Sequence, residues 1–270
     1  MALRLEAGGH PGAADLVLER AEQLFPSTRS EHSKVVSAGR QRVVLWRALA
    51  QLDWSRALTA VEMLEAVDAQ DSKLLRAELH FKQGSVVEAR QLVQELLSGK
   101  EPKEVEVRAL LLLADIHCWS SDPAGAVQHL VRGAELARLA RLQLLLVQAR
   151  MQLAHCQLLL GCHKAGAAQS EAVLPSLLAH GSLTDSSRAW LLAAKARISA
   201  SHGAARAERR AELVQGTTMI QRAKEGFSRA GDVVRVKDCL YLLARLYHDL
   251  ALHQVGCASG MEKLQMLKSE

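Results

Sequence analysis

Aromatic side chains make up only 3% of this 270-residue chain. Its four tryptophans, Trp46, Trp54, Trp119 and Trp190, are scattered, and none interleaves with a basic stretch. Single-strand nucleic-acid binding needs stacked aromatics beside clustered cations, so nucleic acid is not an expected partner. The tryptophans read instead as core or groove residues, with Trp119, at a helix end beside a turn, the candidate partner contact. Cysteine is sparse and odd in number: Cys118, Cys156, Cys162, Cys239 and Cys257 include no CxxC pair. Free thiols in a reducing compartment fit that pattern better than a disulfide framework. His155-Cys156 and Cys162-His163 flank one turn, but structural zinc needs four converging ligands at characteristic spacing, so no metal is expected.

Long apolar runs are also missing. The stretch Ala109 to Ala114 is bounded by Arg108 and Asp115, far short of the roughly 20 residues of a membrane span. No basic-plus-apolar signal segment opens the chain, so neither membrane nor secretion is expected. Catalytic patterns are absent as well. There is no G-x-S-x-G elbow, and His248 and Asp249 are sequence neighbours that point differently on a helix. Gly8-Gly9-His10-Pro11-Gly12 lacks the preceding strand and the lysine of a phosphate loop and reads as a turn. No catalytic residue, cofactor or small-molecule substrate is therefore assigned.

What the chain has in quantity is helix-forming apolar material. Hydrophobic residues reach 49% against 23% charged, with five prolines and a formal charge of +5. Leucine, alanine, glutamine and arginine are plentiful, which favours helix over sheet. Ala77, Ala114, Ala154 and Ala194 recur at steps of 37, 40 and 40 on apolar helical faces. Ala89 and Ala126 follow the first two after twelve residues, with Gly84 and Ser120-Ser121-Asp122-Pro123 as breakers between. Small–turn–small spacing marks helix–turn–helix repeats of the tetratricopeptide type, because only small residues let two helix backbones cross closely. Gly161 and Ala244 join this repeat-packing set. The expected fold is all-α, a tetratricopeptide-like solenoid.

The spacing predicts helix pairs Ser33–Gln51 with Trp54–Val67, Ser72–Gln83 with Ser85–Leu97, and Glu104–Trp119 with Ala124–Ala140. Leu142–Leu160 pairs with Ala165–His180, where Pro175 predicts a kink. Asp185–Ser201 pairs with Thr217–Arg229, and Asp232–Leu252 closes the series. Ala13 to Phe25 reads as the second helix of a pair whose first is cut off, so residues 1–253 are expected as an array that begins mid-repeat. Gly256 and Gly260 break the pattern, and residues 254–270 are expected as a divergent tail, frayed or disordered. Lys195, Arg197, Arg206, Arg209 and Arg210 crowd one stretch opposed by Glu208 alone, a solvated face or loop, or a surface for an acidic partner.

Several strings, in order, carry a resemblance: Gln23-Leu24-Phe25-Pro26, Ala77-Glu78-Leu79 with Gln83-Gly84, and Leu113-Ala114-Asp115-Ile116 running to Trp119-Ser120-Ser121-Asp122-Pro123. Arg141-Leu142-Gln143, Gly161, Arg188-Ala189, Ala193-Ala194-Lys195 and Ala244-Arg245-Leu246-Tyr247-His248 follow. Over roughly Ala2 to His253 the chain resembles the C-terminal tetratricopeptide array of the anaphase-promoting complex subunit 5 family. That resemblance implies a non-catalytic scaffold in a multisubunit ubiquitin ligase controlling mitotic progression. Its implied partners are the other subunits of the anaphase-promoting complex, and its implied location is nucleus and cytoplasm. The alternative is a generic peptide-binding adaptor or co-chaperone-like module, with Lys73, Arg76, Lys82 and Arg108 as candidates for a groove clamp.

Overall fold

A computed structural model describes residues 11–24 and 31–267. Among them are twelve helices and no strand: α1 (Pro11–Leu24), α2 (Glu31–Gln51), α3 (Trp54–Glu65), α4 (Ala69–Gln83), α5 (Val86–Ser98), α6 (Lys103–Trp119), α7 (Pro123–Leu139), α8 (Gln143–Leu159), α9 (His163–His180), α10 (Leu183–Ala200), α11 (Arg206–Arg229) and α12 (Val233–Leu267). Each helix packs on its sequence neighbours, and α4 with α6, α6 with α8 and α8 with α10 also touch. That is the pattern of stacked helix pairs, with α4, α6, α8 and α10 forming a continuous inner layer.

One frame repeats along the array. Leu52, Gly84, Ser121 and Gly161 all adopt positive φ, and each lies seven residues after Leu45, Ala77, Ala114 or Ala154 and five before Ala57, Ala89, Ala126 or Gly166. The same turn bond closes all four: Asp53, Ser85, Asp122 and Cys162 donate their backbone N–H to Ala48, His80, His117 and Gln157 at 2.8–2.9 Å. This is a Schellman closure, which satisfies the otherwise unpaired carbonyls at the helix end. Asp53 and Asp122 then cap the next helix by accepting from the N–H of Arg56 and Gly125.

The small residues named from spacing are buried where the frame requires. Ala77, Ala89, Ala126, Ala154 and Ala194 are fully buried, and Ala114 is 1% exposed. Gly84 and Gly161 act differently. Nothing lies within 4 Å of where their Cβ would be, so they serve left-handed backbone in the turn and pack against nothing. Ala244 is exposed: the apolar face of α12 toward α11 is Cys239, Leu243 and Leu246, and Ala244 falls on the other side of the helical wheel. The close approach that the spacing suggested for Ala154 falls on Gly166 of α9, whose Cβ would lie 3.1 Å from the Ala154 carbonyl oxygen.

Two boundaries differ from the sequence reading. The basic stretch is helical, because α11 begins at Arg206; Ala205 to Glu212 is built of good helix formers. The last helix runs unbroken from Val233 to Leu267 through Gly256 and Gly260, where a break and a tail were expected. Of the turn expected at Gly8 to Gly12, residues 8–10 lie outside the described residues, and Pro11 and Gly12 already belong to α1.

Candidate partner-binding groove

The inner helices curve around a groove of about 1950 Å³ whose walls run from Arg42 on α2 to Asp238 on α12. The repeat frame decides which side chains face it. Six residues before Ala77, Ala114, Ala154 and Ala194 stand Asp71, Arg108, Gln148 and Arg188, and all four line the groove. The opposite face of each helix is apolar and buried, so this face is left for polar residues.

Toward α2 the charges are matched. Asp71, 7% exposed, accepts from Arg42 Nε at 2.8 Å and from Arg108 Nη1 at 2.6 Å. Arg42 also reaches Asp68 at 3.0 Å. Burial alone would raise the Asp71 carboxyl, but Arg108 and Arg42 together hold it below the usual carboxylate range. A ladder of ion pairs thus ties α2, α4 and α6 across the groove floor.

Farther along, the pairing is looser. Lys82 of α4, Arg188 of α10 and Arg235 of α12 all line the groove. Burial, then repulsion from Arg188 and Arg235, lowers the Lys82 ammonium below its ordinary value. Burial and the Arg188 charge push Arg235 down to about 10. Arg235 keeps a bridge to Asp232 at 3.3 Å, whereas the Nε of Arg188 is buried without a hydrogen-bond partner. Glu78 and Asp115 lie within electrostatic reach, and burial raises both carboxyls. Glu78 meets Arg108 only at 3.8 Å. Three cations thus gather along this wall among Glu78, Asp115 and Asp232, and the Nε of Arg188 is left to donate to an incoming acceptor.

Of the clamp candidates, Lys82 and Arg108 line the groove. Arg76 is bridged to Glu65 at 2.7 Å and Lys73 is exposed on the surface. Trp119 is 69% exposed at the end of α6 and meets Phe81 edge-on at 6.3 Å between ring centres. Arg206 and Arg210 are exposed on the first turns of α11 and Arg209 is half-buried. None of these four lines the groove, and no described contact brings Trp119 together with the three arginines. Arg197, counted from sequence with the basic stretch, is bound to Glu212 at 2.8 and 3.0 Å and to Glu171 at 2.6 Å. Sequence reasoning missed Arg188 and Arg235; the signal for Arg188 was its place six residues before Ala194. Among the described residues no group of three or more His, Cys, Asp or Glu side chains could hold a metal ion, and no helix is long and apolar enough to cross a membrane.

No protein-family model matches the chain. Anaphase-promoting complex subunit 5 of Homo sapiens is 26% identical over 245 residues, covering 90% of this chain and 32% of its own length. The Gallus gallus protein of the same name is 26% identical over 250 residues, covering 91% of this chain and 33% of its own length. The resemblance carried by the residue strings is thereby borne out, and the chain spans about a third of the length of the curated relatives it matches. Among solved structures, a Rap protein complexed with competence and sporulation factor has a TM-score of 0.62 at 11% identity, over 98% of this chain and 73% of that one. A signal-transduction ATPase with a tetratricopeptide-repeat sensor from Pyrococcus horikoshii gives 0.52 at 13% identity, over 91% and 41%. These likenesses concern the fold, which is the tetratricopeptide-like solenoid expected from spacing.

Proposed function

We propose that the chain is a non-catalytic scaffold subunit of an anaphase-promoting-complex-type ubiquitin ligase, working through protein–protein contacts of its helical repeats in mitotic progression. Similarity to subunit 5 along nine-tenths of the chain carries this reading, and the repeat architecture suits it. A stacked array presents long ridges and a groove on rigid helices, a surface for neighbouring subunits without a reaction centre. Its partners are then other subunits of that complex, with no role for nucleic acid, membrane, cofactor or small-molecule substrate. Residence in nucleus and cytoplasm follows from the same proposal. Trp119 and the Arg206, Arg209 and Arg210 turns of α11 are proposed as outer contacts, away from the groove. Affinity capture of the tagged chain from dividing cells, read by mass spectrometry, tests the assignment. Co-purification of several subunits of the ligase supports it, and capture of chaperones alone overturns it.

A second reading, a peptide-binding adaptor, is favoured by one observation: Lys82 and Arg188 line the groove, and the buried Arg188 Nε has no hydrogen-bond partner. It requires an acidic segment of a partner to lie in the groove. The double substitution Lys82→Glu and Arg188→Glu separates the two, since it abolishes capture by the groove and leaves contacts made by the outer ridges.

A further inference from the structure

Cys118 on the last turn of α6 and Cys156 on α8 place their sulfurs 3.5 Å apart. Both are free thiols. Cys156 is completely buried, while Cys118 is reachable from outside, being only partly covered. They belong to successive inner helices of the array and share one core cluster with Ala114, Ala126 and Leu146.

The repeat frame shows that packing alone does not call for cysteine here. Cys118 stands four residues after Ala114 and Cys156 two after Ala154. The same pair of positions one repeat earlier holds Phe81 and Ile116, and one before that Leu49 and Leu79. Those pairs lie together in their own clusters, as large apolar side chains filling the joint between repeats. At the third joint both members are thiols at once, with their sulfurs in contact. A disulfide needs an S–S separation of about 2.05 Å, so the two sulfurs must close by about 1.5 Å. Cys118 is also suited to react first: it is the less buried of the two, and the contact with Cys156 lowers its thiol, while the same contact and burial raise Cys156.

We propose that Cys118 and Cys156 form a reversible disulfide that staples α6 to α8 and fixes the angle between these two repeats. With a peroxide as oxidant, the Cys118 thiolate attacks one peroxide oxygen, the O–O bond breaks and hydroxide leaves as water after protonation. Cys118 is then a sulfenic acid, oxidised by two electrons. Cys156, after losing its proton, attacks that sulfur; the S–S bond forms, the S–O bond breaks and a second hydroxide leaves as water. Two thiols and one peroxide thus become one disulfide and two waters. A small-molecule thiol reverses the bond by exchange. The bond would close a loop of 38 residues and hold one segment of the groove wall at fixed curvature.

The test is mild hydrogen peroxide treatment of the purified full chain, alkylation of remaining thiols, and peptide mapping by mass spectrometry without reductant. The expected product has lost two hydrogens, carries a Cys118–Cys156 linked peptide, and has Cys162, Cys239 and Cys257 alkylated once the chain is unfolded. Its thermal midpoint rises by several degrees and returns on treatment with dithiothreitol, whereas Cys156→Ala gives neither link nor rise. Circular dichroism of that variant before oxidation establishes that it is folded. Oxidation of Cys118 to a sulfinic acid without a link, or equal alkylation of both thiols in the unfolded chain with and without prior peroxide treatment, overturns the proposal.

Discussion

Two buried glycines on outer helices, Gly133 on α7 and Gly166 on α9, respond in opposite directions to the same substitution. An alanine in a helix interior is about 1 kcal/mol more favourable than glycine. At Gly133 the added Cβ meets only Leu110, its Cβ at 3.5 Å and its Cδ1 at 3.9 Å, both ordinary van der Waals contacts. Gly133→Ala therefore keeps the whole propensity gain and is expected to stabilise by about 1 kcal/mol. At Gly166 the added Cβ lies 2.9 Å from Leu158 Cδ2 and 3.1 Å from the Ala154 carbonyl oxygen. The leucine tip can rotate away, but the carbonyl belongs to the backbone of α8 and moves only if the helix pair separates. Overpacking of this kind costs about 1–3 kcal/mol, which after the propensity gain leaves a net loss of about 0–2 kcal/mol. Urea denaturation followed by helical circular dichroism measures both, at unchanged m-value. The midpoint order should be Gly133→Ala above the parent and Gly166→Ala below it. Equal increases in both variants would mean that α8 and α9 do not cross at Ala154, and the repeat frame would be wrong there.

Ala114→Arg places a charge at a site 1% exposed and should lower stability by at least about 3 kcal/mol, read as a thermal shift. Arg141 holds φ at 58° in the turn between α7 and α8; Arg141→Gly relieves that conformation and should raise stability by about 0.5–1 kcal/mol in the same urea titration. Asp71→Asn leaves Arg42 and Arg108 facing a neutral group and should lose about 1–3 kcal/mol at pH 7. The folded carboxyl is depressed below its ordinary 3.8, so its contribution is complete above that value and disappears as pH falls through the lower folded one. The gap between parent and variant should accordingly close in acid, and a gap unchanged at pH 2 would refute the ion-pair account.

The array was legible because helix crossings accept only small residues, and Ala77, Ala114, Ala154 and Ala194 mark them at near-constant steps. The register faltered wherever a substitute did the same job: Leu45 and Ala57 at the first turn, and Gly166 in place of an alanine. Between α10 and α11 the frame lengthens, so Ala194 finds its nearest small neighbour at Gly216, 22 residues on, where a Cβ would lie 3.9 Å from its carbonyl oxygen. Basic residues at the start of α11 read as a loop because charge density hides helix propensity when no apolar stripe accompanies it. Ala244 read as a crossing because an alanine on an amphipathic helix shows its size and not its side. The groove was half legible: Lys82 and Arg108 stood out as charged and Arg188 carried the six-residue offset from Ala194, whereas Arg235 depends on the curvature that brings α12 opposite α4, which no local pattern encodes. The thiol pair was hidden for the same reason, since Cys118 and Cys156 lie two positions out of step in the frame and meet only because adjacent repeats are offset.

The central claim is membership in a large ligase assembly, and native size fractionation of a dividing-cell lysate tests it most directly. The account predicts that the chain travels in the same high-mass fraction as the other subunits of the anaphase-promoting complex and leaves that fraction when those subunits are depleted by antibody. Migration as a free monomer, with the ligase fraction devoid of it, would contradict the account.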